Sequence, residues 1–291
     1  MFSQLQRFLS RIRNIEQQNK KIQEALGRIE NRQLSDLDAS QIASAEFRVF
    51  SQWGEDGIIQ HLLRHVPVSK KIFIEFGVEN YTESNTRFLL VNDQWSGLVI
   101  DGSQSNIDYI RRDNLYWRYN LKAVQAFITK ENINELIRSS GLTGEIGLLS
   151  VDIDGNDYWV WDAIDVVDPA IVIVEYNARF GRDRAVTIPY RADFNRMSAP
   201  GSGIYFGASL TAFANLGRRK GYALVSSNSA GNNAFFVRRD LKPETMRELT
   251  PREAFVQSQF REARGPAGQL LFLDRIQEDA ILKGLPLVEV P

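Results

Sequence analysis

Along the first thirty-odd residues the apolar positions step by threes and fours through Leu5, Phe8, Ile12, Ile15, Ile22, Leu26 and Ile29, with no glycine or proline before Gly27. Placing Asn19 in the gap completes four heptads, with Leu5, Ile12, Asn19 and Leu26 at a and Phe8, Ile15, Ile22 and Ile29 at d, the seam of a coiled coil. The pattern predicts an oligomerisation helix over 1–35, a rod roughly 45 Å long at about 1.5 Å per residue. Isoleucine at three of the four d positions favours three or four strands, whereas Asn at an a position favours two, so the strand number stays open. Two other fates compete for the stripe. One is packing on the chain's own domain. The other is peripheral contact with a membrane, for which Arg7, Arg11 and Arg13 beside Phe2, Leu5, Phe8 and Leu9 give a basic amphipathic start. The polar stretch 36–46 reads as a linker.

From Phe47 the pattern changes to a repeated phrase of short apolar strand, polar turn and helical segment, the signature of a parallel α/β sheet. Strands are expected at 71–76, 96–101, 121–128, 146–152 and 170–176, and helices at 55–65, 85–91, 104–112, 130–139, 158–164 and 209–220. Two closely spaced runs, 222–226 and 233–238, must pair antiparallel, because a parallel crossover needs about a dozen residues or more. Five βα units, a helix and a terminal hairpin resemble the order of elements in a class I methyltransferase, a Rossmann-like fold; a dinucleotide-binding sheet would continue with parallel strands. The domain is expected over 47–240, followed by a helical appendage over 241–291.

Composition narrows the chemistry. Lysine plus arginine (35) nearly cancels aspartate plus glutamate (36), leaving a net charge of -1 and no field to attract nucleic acid. Without a single cysteine there are no disulfides, thiolate metal sites or cysteine nucleophiles. No apolar run reaches the roughly 18–20 residues that span a bilayer, and the N-terminus lacks a secretory signal's apolar core, so a cytoplasmic protein is expected. The two histidines, His61 and His65, stand four apart on an expected helix with no third ligand in view, and read as surface or packing residues. Carboxylates, amides, hydroxyls and backbone must do the chemistry.

Ligands of open α/β sheets sit at the carboxyl ends of the strands. The first strand ends in Glu75-Phe76-Gly77, where Gly77 would let a ligand approach the backbone and the Ser84-Asn85 amides at the next helix start suit a carboxylate. The second ends in Asp101-Gly102-Ser103, and an acid there can accept both hydroxyls of a ribose. With Ser51-Gln52-Trp53-Gly54-Glu55-Asp56, Thr129-Lys130-Glu131-Asn132-Ile133 and Val151-Asp152-Ile153-Asp154-Gly155, these phrases resemble the FkbM-type family of class I methyltransferases over roughly residues 50–239. The resemblance implies S-adenosylmethionine as cofactor, with Gln52, Glu75, Gly77, Asn85, Asp101 and Ser103 as the residues that hold it. It also implies O-methyl transfer onto a sugar, polysaccharide or glycoconjugate. The second and third glycines usual in the first loop are absent, which keeps a catalytically inactive, oligomeric scaffold in view.

Three carboxylates crowd the run Asp152-Ile153-Asp154-Gly155-Asn156-Asp157, and Glu175-Tyr176-Asn177 ends the neighbouring strand. Close like charges are costly unless a cation lies among them, and hard oxygen ligands suit Mg²⁺ or Mn²⁺. The arrangement is similar to catechol O-methyltransferase. The expected ligands are Asp152, Glu175 and Asn177, with Asp154 a further ligand or, with Asp152, a catalytic carboxylate that takes the acceptor's proton. The competing reading is an Asx-rich turn capping the next helix. An EF-hand loop is excluded, since no Glu stands at its twelfth position. Residues 178–207, rich in Arg and Tyr, are too long for an ordinary connection and suit a glycan, phosphate-bearing or acidic acceptor.

Overall fold

The computed structural model describes residues 2–265 and 267–291; the side chains of Phe2, Ser3, Leu5 and Arg13 lie outside the described set, and with them the parts of the seam and of the membrane-facing reading that rest on Phe2, Leu5 and Arg13. The chain opens with one helix, α1 (Phe2–Gln33), followed by two 3-10 turns, Leu34–Asp36 and Ile42–Ala45. Leu34, Ala39, Ile42 and Ala45 are buried, so this stretch packs against the body.

The body then runs α2 (Glu55–His65), β1 (Ile72–Phe76), α3 (Arg87–Asp93), β2 (Ser96–Asp101), α4 (Gln104–Arg112), α5 (Asn114–Arg118), β3 (Leu121–Gln125), α6 (Ile133–Ser139), β4 (Gly144–Val151), α7 (Asp157–Ala163) and β5 (Val167–Glu175). After a 3-10 turn at Ala178–Phe180 come β6 (Val186–Thr187), α8 (Leu210–Arg219), β7 (Tyr222–Ser227), β8 (Asn233–Arg238), α9 (Pro251–Ala254), α10 (Arg275–Leu282) and β9 (Val288–Glu289). Seven strands form one sheet in the order β3-β2-β1-β4-β5-β8-β7, and β6 pairs with β9 in a separate ribbon. The first five strands are parallel; β8 runs antiparallel to both its neighbours, β5 and β7. The parallel strands and the terminal antiparallel hairpin are those expected of a class I methyltransferase fold.

Its parallel strands are apolar on both faces because helices cover both. Ile74, Leu149, Val172 and Phe236 pack with Trp161 and Phe213 on one side, while Phe73, Leu148, Ile171 and Phe235 pack with Ile58, Leu62 and Ile107 on the other. The chain reverses direction across the sheet between β1 and β4. The crevice beyond their carboxyl ends is therefore the place where such a fold holds a ligand. Expected strand β3 stops at Gln125 rather than 128; Ala126, Phe127 and Ile128 leave the sheet and line that crevice.

Candidate functional site

Two adjoining cavities occupy the crevice. The first, of about 300 Å³, lies over β2 and β3 and is lined by Gly77, Asp101, Ser103, Phe127, Ile153 and Asn156 among others. The second, of about 530 Å³, lies over β1, β4 and β5 and takes in Gln52, Trp53, Glu75, Asn85, Asp152 and Glu175. Gly77, Glu79, Asp152, Asp154, Arg196 and Met197 border both, so the two form one cleft.

The collar of the cleft is built by carboxylates that accept backbone amides. Asp56 takes the N–H groups of Val49, Phe50 and Ser51 on one oxygen at 2.7–2.8 Å, together with the Ser51 hydroxyl. Glu55 accepts from the Trp53 and Gly54 amides on one oxygen and from the side chains of Asn228 and Asn233 on the other, tying the loop to the far hairpin. The phrase around Gln52 is thus a brace that sets Gln52 and Trp53, both exposed, at the mouth of the second cavity. Asp157 likewise accepts from Ile153 and Gly155 and folds the loop after β4, which is the Asx-type turn for that one acid. Burial pushes Asp56 and Asp157 up to about 6 despite these bonds.

On the first strand's tip the expected roles change. Glu75 accepts from the Asn85 and Thr86 amides and the Thr86 hydroxyl, and burial pushes it up to about 7. The Ser84 amide donates to the Phe50 carbonyl. The Ser84-Asn85 amides are therefore engaged within the protein and are not free for a ligand's carboxylate. Gly77 has φ +67°, and a Cβ there would stand 1.7 Å from the Asp152 carbonyl oxygen. Its glycine is needed for the close approach of the β4 tip, and it also borders both cavities. The Asn85 side chain donates to the Ser150 hydroxyl at 3.1 Å, at the back of the second cavity.

Asp101 faces the first cavity, oriented by the Glu79 and Ser103 amides at 2.8 Å and the Asn106 side chain at 3.0 Å. Ser103 caps α4 beside it. Asn156, buried on the cavity's edge, donates to the Arg191 carbonyl and leaves its oxygen without a partner. An oriented carboxylate beside an apolar slot of Ile100, Ala126, Phe127, Ile128 and Ile153 fits a ribose carrying a flat base.

The floor is different. Oxygens of Asp152, Asp154 and Glu175 lie within 4.8 Å of one another, and one Glu175 oxygen is buried with no hydrogen-bond partner. Burial, then repulsion from neighbouring acids, holds Asp152 and Glu175 well above the usual carboxylate range. Three carboxylates with an unmatched oxygen fit a hard divalent cation. Asn177 does not join them. Its amide donates to the Ile204 and Phe206 carbonyls and its oxygen caps the following 3-10 turn, so it shapes the loop and is not available as a ligand.

Two contributors were not among the expected site residues. Arg196, from the long loop, ion-pairs with Asp154 and with Glu262 (2.8 Å), donates to the Gly203 carbonyl and lies 3.7 Å over the Phe206 ring. The tail supplies Phe260, Arg261, Glu262 and Arg264 to the second cavity's wall. Glu262 and Glu278 from the tail also clamp the buried Arg179. Arg184 and Arg191 pair with Glu289 and Asp193. Four of the loop's arginines, Arg179, Arg184, Arg191 and Arg196, thus pair with acids, whereas Arg182 makes no ion pair among the described residues. Their abundance in 178–207 was a signal for Arg196; nothing in the sequence singles out Glu262. The histidines sit as packing residues: His61 is fully buried against His65, ring centroids 4.7 Å apart.

No family model matches the chain and no curated protein matches it. Among solved structures it is similar to the N-terminal domain of EvdMO1 with SAH bound, at 9% identity and TM-score 0.43, covering 73% of this chain and 94% of that one. TrmK of M. capricolum in complex with SAH gives 7% identity and TM-score 0.39, covering 69% and 75%. The O-methyltransferase of Bacillus cereus in complex with SAH gives 12% and 0.36, covering 74% and 88%. At such scores these likenesses assign neither cofactor nor substrate to this chain.

Proposed function

We propose that the protein is an S-adenosylmethionine-dependent O-methyltransferase of the FkbM type, acting on a hydroxyl of a sugar, polysaccharide or glycoconjugate. The enzyme is proposed to work in the cytoplasm; among the described residues no helix is long and apolar enough to cross a membrane. The observation that carries the methyltransferase reading is the division of one cleft into an Asp101-lined slot and a carboxylate floor, meeting at Gly77 and Asp152.

S-adenosylmethionine in the slot supplies a methyl group on a positively charged sulfur. Asp101 would accept the ribose hydroxyls, and Phe127 and Ile153, which line the same slot, would lie against the base. At the other end Trp53, 38% exposed, stacks on Phe260 with ring centroids 5.0 Å apart and planes 25° off parallel. A flat apolar face beside carboxylate and amide acceptors suits a pyranose ring. Asp154 is tied to Arg196, so the acceptor's proton passes to Asp152, whose high proton affinity suits it as a base once it is ionised. Methyl transfer should therefore rise with pH above the ordinary carboxylate range. A divalent cation, were it to take the place of Arg196 beside Asp154, would be held by Asp152, Asp154 and Glu175 and would supply Lewis acidity toward the same hydroxyl.

Calorimetric titration with S-adenosylmethionine, with and without Mg²⁺, tests the reading. Micromolar binding weakened at least roughly tenfold by Asp101→Ala is expected, since that side chain makes the ribose contact. No binding under any condition overturns it and leaves the inactive scaffold.

A further inference from the structure

Helix α1 has two faces with opposite fates. On one, Gly27 lies against the body so closely that a Cβ would stand 2.4 Å from Val49, the Gln23 amide reaches the Val49 carbonyl, and Asn31 donates to Gln60 at 2.7 Å while accepting from Arg64 at 2.9 Å. Residues 23, 27 and 31 recur every four positions and form the ridge by which the helix is docked. The a and d positions point elsewhere. Phe8, Ile12, Ile15, Ile22, Leu26 and Ile29 are 38–59% exposed, and the docked end is no exception, with Leu26 at 57% and Ile29 at 50%. The body already has its contact with α1 and does not use the seam.

We infer that the exposed seam of α1 binds the same seam of a second copy of this chain as a parallel, two-stranded coiled coil. The register supports this occupant. In a parallel pair each a residue meets its own counterpart, so Asn19 faces Asn19 of the second copy and the two amides satisfy each other. An antiparallel pair centred on the helix would set Asn19 against isoleucine and bury an unmatched amide. The flanks agree: Arg11 at g falls opposite Glu16 at e of the second copy. Glycine at the docking contact, a b position, keeps the helix fixed to its body while the seam stays clear.

Sedimentation equilibrium of the full chain should give twice the chain mass, falling to one chain in Ile15→Lys/Ile22→Lys. Both side chains are exposed in the monomer, so the thermal midpoint of the body should not move. The absence of cysteine makes orientation directly readable. A single Ile12→Cys variant should cross-link to a covalent dimer on mild oxidation only if the strands are parallel. A monomeric wild type, a trimer, a dimer that survives both lysines, or failure of Ile12→Cys to cross-link each overturns the inference. A monomer that co-sediments with vesicles of anionic phospholipid assigns the stripe to a lipid surface instead.

Discussion

The collar and the floor of the cleft are both built from acids, yet the two sets stand in opposite circumstances. Asp56, Glu75, Asp101 and Asp157 each accept at least two hydrogen bonds from backbone amides. Asp152 and Glu175 have no such donors, and Glu175 keeps an oxygen with no partner at all. A carboxylate that satisfies several N–H groups holds a loop, and its removal leaves donors stranded. One that is buried among other acids without donors raises the energy of the empty fold, a state worth keeping only if a proton, a cation or a substrate relieves it. Sequence position alone does not separate the two sets; amide supply does.

Asp56→Ala strands three amides and a hydroxyl and should have the largest effect. Urea unfolding should lose roughly 3–5 kcal/mol, and a loss below about 1 kcal/mol means the collar acids are not struts. Asp152→Asn should act in the opposite direction, adding on the order of 1 kcal/mol at about pH 8 by removing a repelled charge. The sign follows from linkage. Asp152 keeps its proton in the native state to higher pH than its ordinary 3.8, so native protein binds more protons and stability falls as pH rises through that window. Wild type should therefore lose stability more steeply than the Asn variant as pH rises above the ordinary carboxylate range; equal slopes, or a destabilised variant, place Asp152 with the struts. The smallest effect is expected from Arg196→Met. The guanidinium lowers the proton affinity of Asp152 and Glu175, so its loss should move their titration upward by a shift visible in carboxyl NMR. An unmoved titration separates Arg196 from the floor.

The sheet was legible because its strands are short apolar runs fixed by the local period, and every one expected is present within a few residues. The helix-capping role of Glu75 was not. It depends on the chain folding back ten residues later to present two amides, and no pattern of residue types reports where an amide points. Asn177 misled for the same reason: an acid-amide pair at a strand tip looks like a ligand set until the carbonyls of Ile204 and Phe206, nearly thirty residues away, engage the amide. Asp152, Asp154 and Glu175 converge because adjacent strand tips must, which the topology dictates. The tail was illegible throughout, since Glu262 meets Arg179 across 83 residues with no periodicity to announce it.

That late wall has a consequence in time. The sheet closes at Arg238, whereas Phe260 and Glu262 come afterwards and β9 later still. A chain emerging from the ribosome N-terminus first, at about 5–20 residues per second, has its strands in hand before the second cavity has its outer wall. During that interval the carboxylate floor is open to water, which screens its repulsion and lets the sheet assemble first. Docking of the tail then adds the cavity's outer wall and brings Glu262 against Arg196, so the cleft takes its final shape last, when the rest of the fold is present to hold it.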